Sequence, residues 1–272
     1  MNYNDPLIWL SLLIVVLMIF RVFGFKEKGT LFPIEGFRLS GTENVVDNLQ
    51  TIFWQNNEML ACLTSGVGQK RVGELSCKLA EETVRDNFSA LNVLENPHDF
   101  LKRCCLESHR KISENINVQS GGCSIALIYI KDRQLFWVSS GNISIYLYDE
   151  KMTRLNKRDL YKYKLRDKIL DGQISERRVL TNTLKNELTS YLGYENFRYL
   201  EGNKQSIKLN RYQKVVVCNK EIDDTISELS MEKVLDKSIS TENKLEKFKT
   251  LYQELRRQTD NQATFILAEK FK

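Results

Sequence analysis

Leu7 to Phe20 is apolar at every position except Ser11, and Val22, Phe23 and Phe25 carry the run past Arg21. Taken from Pro6 to Phe25, the 20 residues form a helix about 30 Å long, enough to span the hydrocarbon core of a bilayer. Arg21 can reach the interface by extending its charged end out of the apolar layer. A cleaved signal peptide fits poorly, because Met1 to Asp5 carries an acid and no Lys or Arg, and no small-residue cleavage site follows. Arg21, Lys26 and Lys28 lie just after the apolar run. The positive-inside rule therefore predicts a single-pass protein with its N-terminus outside and its bulk in the cytoplasm. The alternative is a hydrophobic helix buried inside a folded domain. Apolarity on all faces favours the membrane. Residues 1–28 are thus expected to be an anchor with its juxtamembrane segment, and residues 29–272 a folded domain.

No Pro/Gly/Ser-rich linker and no repeat interrupts the chain after Leu31. Apolar runs at Met59–Leu63, Ser124–Ile130, Gln134–Ser139, Ile143–Tyr148, Lys214–Cys218 and Ala263–Ala268 have the length and composition of strands. Lys131-Asp132-Arg133 and Asp149-Glu150-Lys151 are short enough to be hairpin connections. The three runs from Ser124 to Tyr148 are therefore predicted to form an antiparallel meander. Helical spacing marks Gly73–Phe88, with Leu75, Leu79 and Thr83 on one face. It also marks Pro97–Ile116, with Leu101, Cys105, Ser108, Ile112 and Ile116, and Thr241–Arg257, with Leu245, Phe248, Tyr252 and Leu255. Pro97 sits where a first helical turn tolerates it, and Ser240 or Thr241 can cap the last helix. Hairpin-joined strands with separate helices point to a layered α+β fold.

Composition removes several classes of chemistry. The 40 basic and 35 acidic residues leave a net charge of +5, too weak a bias to argue for nucleic acid. The six cysteines form no CxxC pair and are joined by only two histidines, His98 and His109, which leaves no Cys/His zinc framework. The cysteines lie among apolar residues and read as buried thiols of a reducing compartment. Neither histidine stands near a nucleophile motif, so both read as structural or surface residues. Between Arg154 and Arg178 nine basic residues interleave with Tyr161 and Tyr163. A solvated helix or flap is the plainer reading there, contact with anionic lipid the sharper one.

The stretch Leu60-Ala61-Cys62-Leu63-Thr64-Ser65-Gly66-Val67-Gly68, reaching Gly73-Glu74, resembles the first large motif of PPM-type metal-dependent serine/threonine protein phosphatases. There a strand runs into Asp-Gly-Met-Gly-Gly and then into Gly-Glu at the start of a helix. Further likenesses follow in the family's order. Gly121-Gly122-Cys123-Ser124 is similar to its Gly-Thr-Thr segment, and Gly141-Asn142 to its Gly-Asp turn. Leu188-Thr189 through Leu192-Gly193 is similar to its Leu-Thr…Leu-Gly stretch, and Val216 to Ile222 to its Leu-Leu-Cys-Ser-Asp-Gly-Leu strand end. Asp260-Asn261 is similar to its terminal Asp-Asn pair. The resemblance covers nearly everything after Leu31. It implies an α-β-β-α sandwich of two antiparallel sheets flanked by helices, here preceded by the single transmembrane helix.

The same resemblance implies where the chemistry departs. The family's reaction uses two divalent cations, held by aspartates, that activate a bridging water. Ser65 stands at the position of the bridging aspartate, followed by the retained Gly66. Lys220 stands at the position of the aspartate near the C-terminal strand, with Glu221 in place of the glycine. Asn142 replaces the aspartate of the turn. Asp260 keeps its match, and Asp47 is the candidate for the first aspartate. Asn142 and Asn261 are candidate binding residues. Hard cations need several carboxylate oxygens, and an ammonium repels them. The positions Asp47, Ser65, Gly66, Lys220 and Asp260 thus read as a vestigial site, with no catalytic residue, no metal and no cofactor expected. Lys220 can pair with Asp260 and Asp47 in place of a bound cation. A shifted register, which would bring Asp223 or Asp224 to the site, stays open.

Three readings of function remain at this point. One is a membrane-anchored phosphatase-like protein without catalysis, acting as a regulatory or protein-binding module whose partner is a phosphoprotein, a kinase or another membrane complex. The second is an active phosphatase using Mn²⁺ or Mg²⁺ with altered ligands, drawing on Asp47, Asp260 and carboxylates such as Glu43 or Asp223. The third is a structural subunit whose pocket is filled by its own side chains.

Overall fold

The computed structural model describes residues 34–39, 48–55, 58–90, 96–116, 121–172, 187–195, 197, 200–256, 262–269 and 271. Residues 6–25, expected to cross the membrane, lie outside the described residues. Among the described residues no helix is long and apolar enough to cross one.

The strands are β1 (Ile34–Leu39), β2 (Asn48–Gln55), β3 (Glu58–Gly68), β4 (Gly121–Lys131), β5 (Gln134–Ser140), β6 (Ile143–Asp149), β7 (Lys151–Arg154), β8 (Glu201–Gly202), β9 (Ile207–Lys208), β10 (Lys214–Asn219) and β11 (Ala263–Glu269). The helices are α1 (Lys70–Ser89), α2 (Pro97–Asn115), α3 (Tyr161–Leu170), α4 (Lys220–Thr225), α5 (Glu228–Leu235) and α6 (Thr241–Leu255). One sheet has the order β1-β11-β10-β6-β7, the other β2-β3-β4-β5-β8, with β9 also on β5. All pairings are antiparallel.

Period-two alternation divides each central strand between two cores. Met59, Ala61 and Leu63 of β3 face inward, with Ala126, Ile128, Val215, Val217, Ile266 and Ala268, and form the layer between the sheets. Leu60 and Cys62 face outward against Cys77, Ala80 and Val84 of α1 and Phe100, Leu101 and Cys105 of α2. On the far side Val216, Cys218, Phe265 and Leu267 meet Ile222, Met231, Leu245, Phe248 and Tyr252 from α4, α5 and α6. The result is the expected α-β-β-α sandwich.

The predicted meander does not form. β4 and β5 pair, but β6 leaves for the other sheet, where it lies between β10 and β7. The turn between β5 and β6 hinges on Gly141 at φ +97°, a left-handed conformation that favours glycine. A Cβ there would meet the Ser124 hydroxyl oxygen at 2.2 Å. Buried Asn156 satisfies backbone groups that the splaying strands leave open. It accepts from the Ile145 N–H at 2.8 Å and donates to the Ile143 carbonyl at 2.8 Å and the Ser139 hydroxyl at 2.9 Å.

Two helix faces also differ from expectation. On α1 the buried residues are Gly73, Ser76, Cys77, Ala80, Thr83, Val84, Asn87 and Phe88, while Leu75 is 46% exposed. The helix presses closely on β3, so small residues line the contact. Leu255 of α6 is exposed too, while Leu245, Phe248 and Tyr252 are buried as expected. All six cysteines are buried free thiols.

Candidate functional site

The β3, β10 and β11 strands and the β5–β6 turn end together at one pole of the sandwich. A cleft of about 280 Å³ opens there, lined among others by Ser65, Gly66, Ser124, Asn142, Lys220 and Glu221. Four of the positions singled out from the sequence, Ser65, Gly66, Asn142 and Lys220, therefore meet in one cleft. Asp47, Asp260 and Asn261 lie outside the described residues, although Gln262, the neighbour of Asn261, also lines the cleft.

Each side chain is placed by an identifiable local cause. Ser65 is opposite Asn48 on one side and Ser124 on the other, near the end of β3. Directly beyond it, Gly73 lets the first turn of α1 sit against Gly66 of the strand, since a Cβ on Gly73 would come to 3.0 Å from the Gly66 Cα. The Asn142 N–H donates to the Ser124 hydroxyl at 3.1 Å. The turn carrying Asn142 is clamped by Asp159, whose carboxylate accepts from the Gly141 N–H at 2.7 Å. The Leu188–Gly193 stretch docks on the start of β4 through reciprocal bonds between Cys123 and Leu192 of 3.0 and 2.9 Å.

Lys220 is the first residue of α4, and its exposed side chain reaches the cleft. Two anchors fix it. Before it, buried Asn219 donates to the Gln262 carbonyl at 2.7 Å and accepts from the Thr264 N–H at 3.1 Å. After it, Asp223 turns away from the cleft, onto the outer face of β6, with its side chain 2% exposed. It accepts from Ser144 at 2.9 Å, Tyr146 at 2.5 Å and Arg154 at 3.0 Å, and it pairs with Arg158 at 3.2 Å. Arg158 also pairs with Asp224 at 2.8 Å. Burial and the neighbouring Asp223 carboxylate push the Tyr146 phenol well above its usual range. Burial lowers the proton affinity of Arg154, but Asp223 and Tyr146 together outweigh it and raise that affinity overall. Asp223 and Asp224 are thus spent on arginines. Arg154 and Arg158, counted above in a solvated or lipid-facing basic stretch, are partners of an ion network.

Local sequence patterns carry no trace of that network or of the Asp159 clamp, because their partners are far apart in the chain. In the sequence Glu221 stands out only as a replacement for glycine. It is the one carboxylate among the described lining residues, and it accepts from the Asn219 amide at 2.8 Å. Among the described residues no group of three His, Cys, Asp or Glu side chains is placed to hold a metal ion. Among the described lining residues, one carboxylate beside one ammonium is too few oxygen donors for a pair of divalent cations, each of which needs several.

No protein-family model matches the chain, and no curated protein matches it. Solved structures do. The serine/threonine phosphatase of S. agalactiae superposes with a TM-score of 0.73 at 18% identity, over 88% of this chain and 99% of that one. Stp1 from Staphylococcus aureus gives 0.72 at 17%, over 89% and 96%. The PPM Ser-Thr phosphatase MsPP from Mycobacterium smegmatis, solved with cacodylate, gives 0.67 at 12%, over 87% and 97%. At such identities the likeness is one of fold, and the fold of this chain is that of the bacterial PPM-type serine/threonine phosphatases.

Proposed function

We propose that the chain is a membrane-anchored, cytoplasm-facing phosphatase-like protein that does not hydrolyse phosphate esters and serves as a regulatory or protein-binding module. The observation that carries this reading is the meeting of Ser65 and Lys220 in one cleft. A hydroxyl supplies no charge to balance paired dications. An ammonium a few ångströms from them repels each by several kcal/mol, on the order of 8 for a +1 charge against a +2 charge at 4 Å in a partly solvated site. The apolar run 6–25 supports the anchor. The partner is a phosphoprotein, a kinase or another membrane complex.

A second reading, an active phosphatase with altered ligands, draws on Glu221, which lines the same cleft. Calorimetric titration of the full chain in detergent with Mn²⁺ and Mg²⁺, alongside turnover of an aryl phosphate, separates the two. The expected result is no saturable heat and no turnover. Saturable binding with metal-dependent turnover supports the active enzyme instead. The double variant Ser65→Asp with Lys220→Asp is expected to gain metal binding if the cleft descends from a metal site.

A further inference from the structure

Ile34 enters its sheet opposite Ala268, whose other neighbour is Val215. The chain therefore joins the sandwich beside Lys214 and Glu269, at the pole away from Ser65 and Lys220. The two poles are about 20 Å apart along β10 and β11. Residues 26–33, which include Lys26 and Lys28, separate Ile34 from the end of the apolar run at Phe25. Fully extended, those eight residues reach at most about 28 Å. If 6–25 spans the bilayer, this pole is held close to its surface.

The pole is built to meet a surface. From Asn203 to Lys214 the sequence has Lys204, Lys208, Arg211 and Lys214 and no acid. The turn before β10 is closed by Asn210, whose side-chain oxygen accepts from the Tyr212 N–H at 2.9 Å and the Gln213 N–H at 3.0 Å. Gln213 returns the bond to the Asn210 N–H at 3.0 Å. This rigid turn pushes Tyr212 outward, 65% exposed, with the Arg211 guanidinium 4.7 Å from its ring centre. The Leu209 N–H donates to the Arg133 carbonyl at 2.8 Å, which sets exposed Arg133 beside the turn. Several nearby acids are already engaged: Glu269 with buried Lys244, and Asp149 with the Gln213 amide at 2.9 Å. Exposed Asp132, Glu150 and Asp236, with Glu35 and Glu242 near the start of β1, oppose the attraction and keep it modest. An amphipathic aromatic beside arginine and lysine suits the headgroup layer of an anionic membrane.

We infer that this pole rests on anionic lipid headgroups through Arg211, Tyr212, Lys208 and Arg133, so that the Ser65–Lys220 cleft faces away from the bilayer. This orientation rests on the anchored reading above. Each basic side chain near such a surface raises its occupancy about fivefold.

The test compares the full chain in nanodiscs of phosphatidylcholine with nanodiscs that also contain phosphatidylglycerol, by hydrogen–deuterium exchange. Exchange across 208–214 is expected to slow about fivefold in the anionic discs, to recover at high salt, and to stay unchanged across 65–68. Arg211→Glu with Tyr212→Ser is expected to abolish the slowing. Equal exchange in both discs, with the chain resisting alkaline carbonate extraction from membranes, overturns the docking and leaves the anchor standing. Release by carbonate overturns the anchor and the orientation with it. The same slowing in neutral discs on adding glycerol phosphate overturns the lipid contact in favour of a soluble-anion site.

Discussion

The carboxylate of Asp223 holds together more of the cleft's surroundings than any residue inside the cleft. It pairs with Arg154 and Arg158 and bonds Ser144 and Tyr146, and so ties the helix that starts with Lys220 to β6 and β7. Removing one partner of a buried ion pair leaves the other desolvated and unpaired. Asp223→Ala is expected to destabilise the protein by about 3 kcal/mol or more, read by urea unfolding of the full chain in mild detergent. Asp223→Asn is expected to lose less, because it still offers an acceptor oxygen. His109 gives a pH signature. Its Nδ1 accepts from the Gly193 N–H at 3.1 Å and its ring stacks on Phe197 at 4.5 Å, and burial lowers its proton affinity. The unfolded chain then takes up a proton that the folded chain resists. This contribution is complete above the unfolded value of about 6.5 and is lost as pH falls below it. Wild type is expected to lose more stability than His109→Gln between about pH 7.5 and about pH 5, and equal losses would remove His109 from the explanation.

Elements differ in how far the sequence discloses them. β4, β10 and β11 are apolar on both faces because both are covered by other layers, and such runs are legible without any structure. The sheet edges are not: β1 reads Ile-Glu-Gly-Phe-Arg-Leu and β2 Asn-Leu-Gln-Thr-Ile-Phe-Trp-Gln, and each mixes polar residues into a short run. The departure of β6 to the other sheet depends on Gly141 against Ser124 and on Asn156, contacts made across the fold. In α1 the large Leu75 drew the predicted face, but close approach to β3 selects Cys77 and Ala80. Ala80→Leu is therefore expected to destabilise by about 1–3 kcal/mol through overpacking, whereas Leu75→Glu is expected to change stability by less than about 0.5 kcal/mol. The same urea unfolding measurement checks both. The cleft is partly legible because its glycines and strand ends follow the order that the resemblance implies, and Ser65, Gly66, Asn142 and Lys220 all line it. The ion network behind it is not, since a pair such as Arg158 with Asp224 has no local spacing to read.

In the molecule as a whole, two sheets share one inner core, and their strand ends form two opposite poles. One carries the cleft, and the other receives the chain at Ile34. The cleft shares its fold with bacterial phosphatases, yet its described donors are a lysine, a glutamate, hydroxyls and amides. We propose that the cleft holds no pair of divalent cations. Anomalous diffraction from crystals of the full chain grown with Mn²⁺ tests it most directly. The expected map has no paired manganese peaks in the cleft. Two peaks about 3.5–4 Å apart beside Ser65 and Lys220 would contradict it.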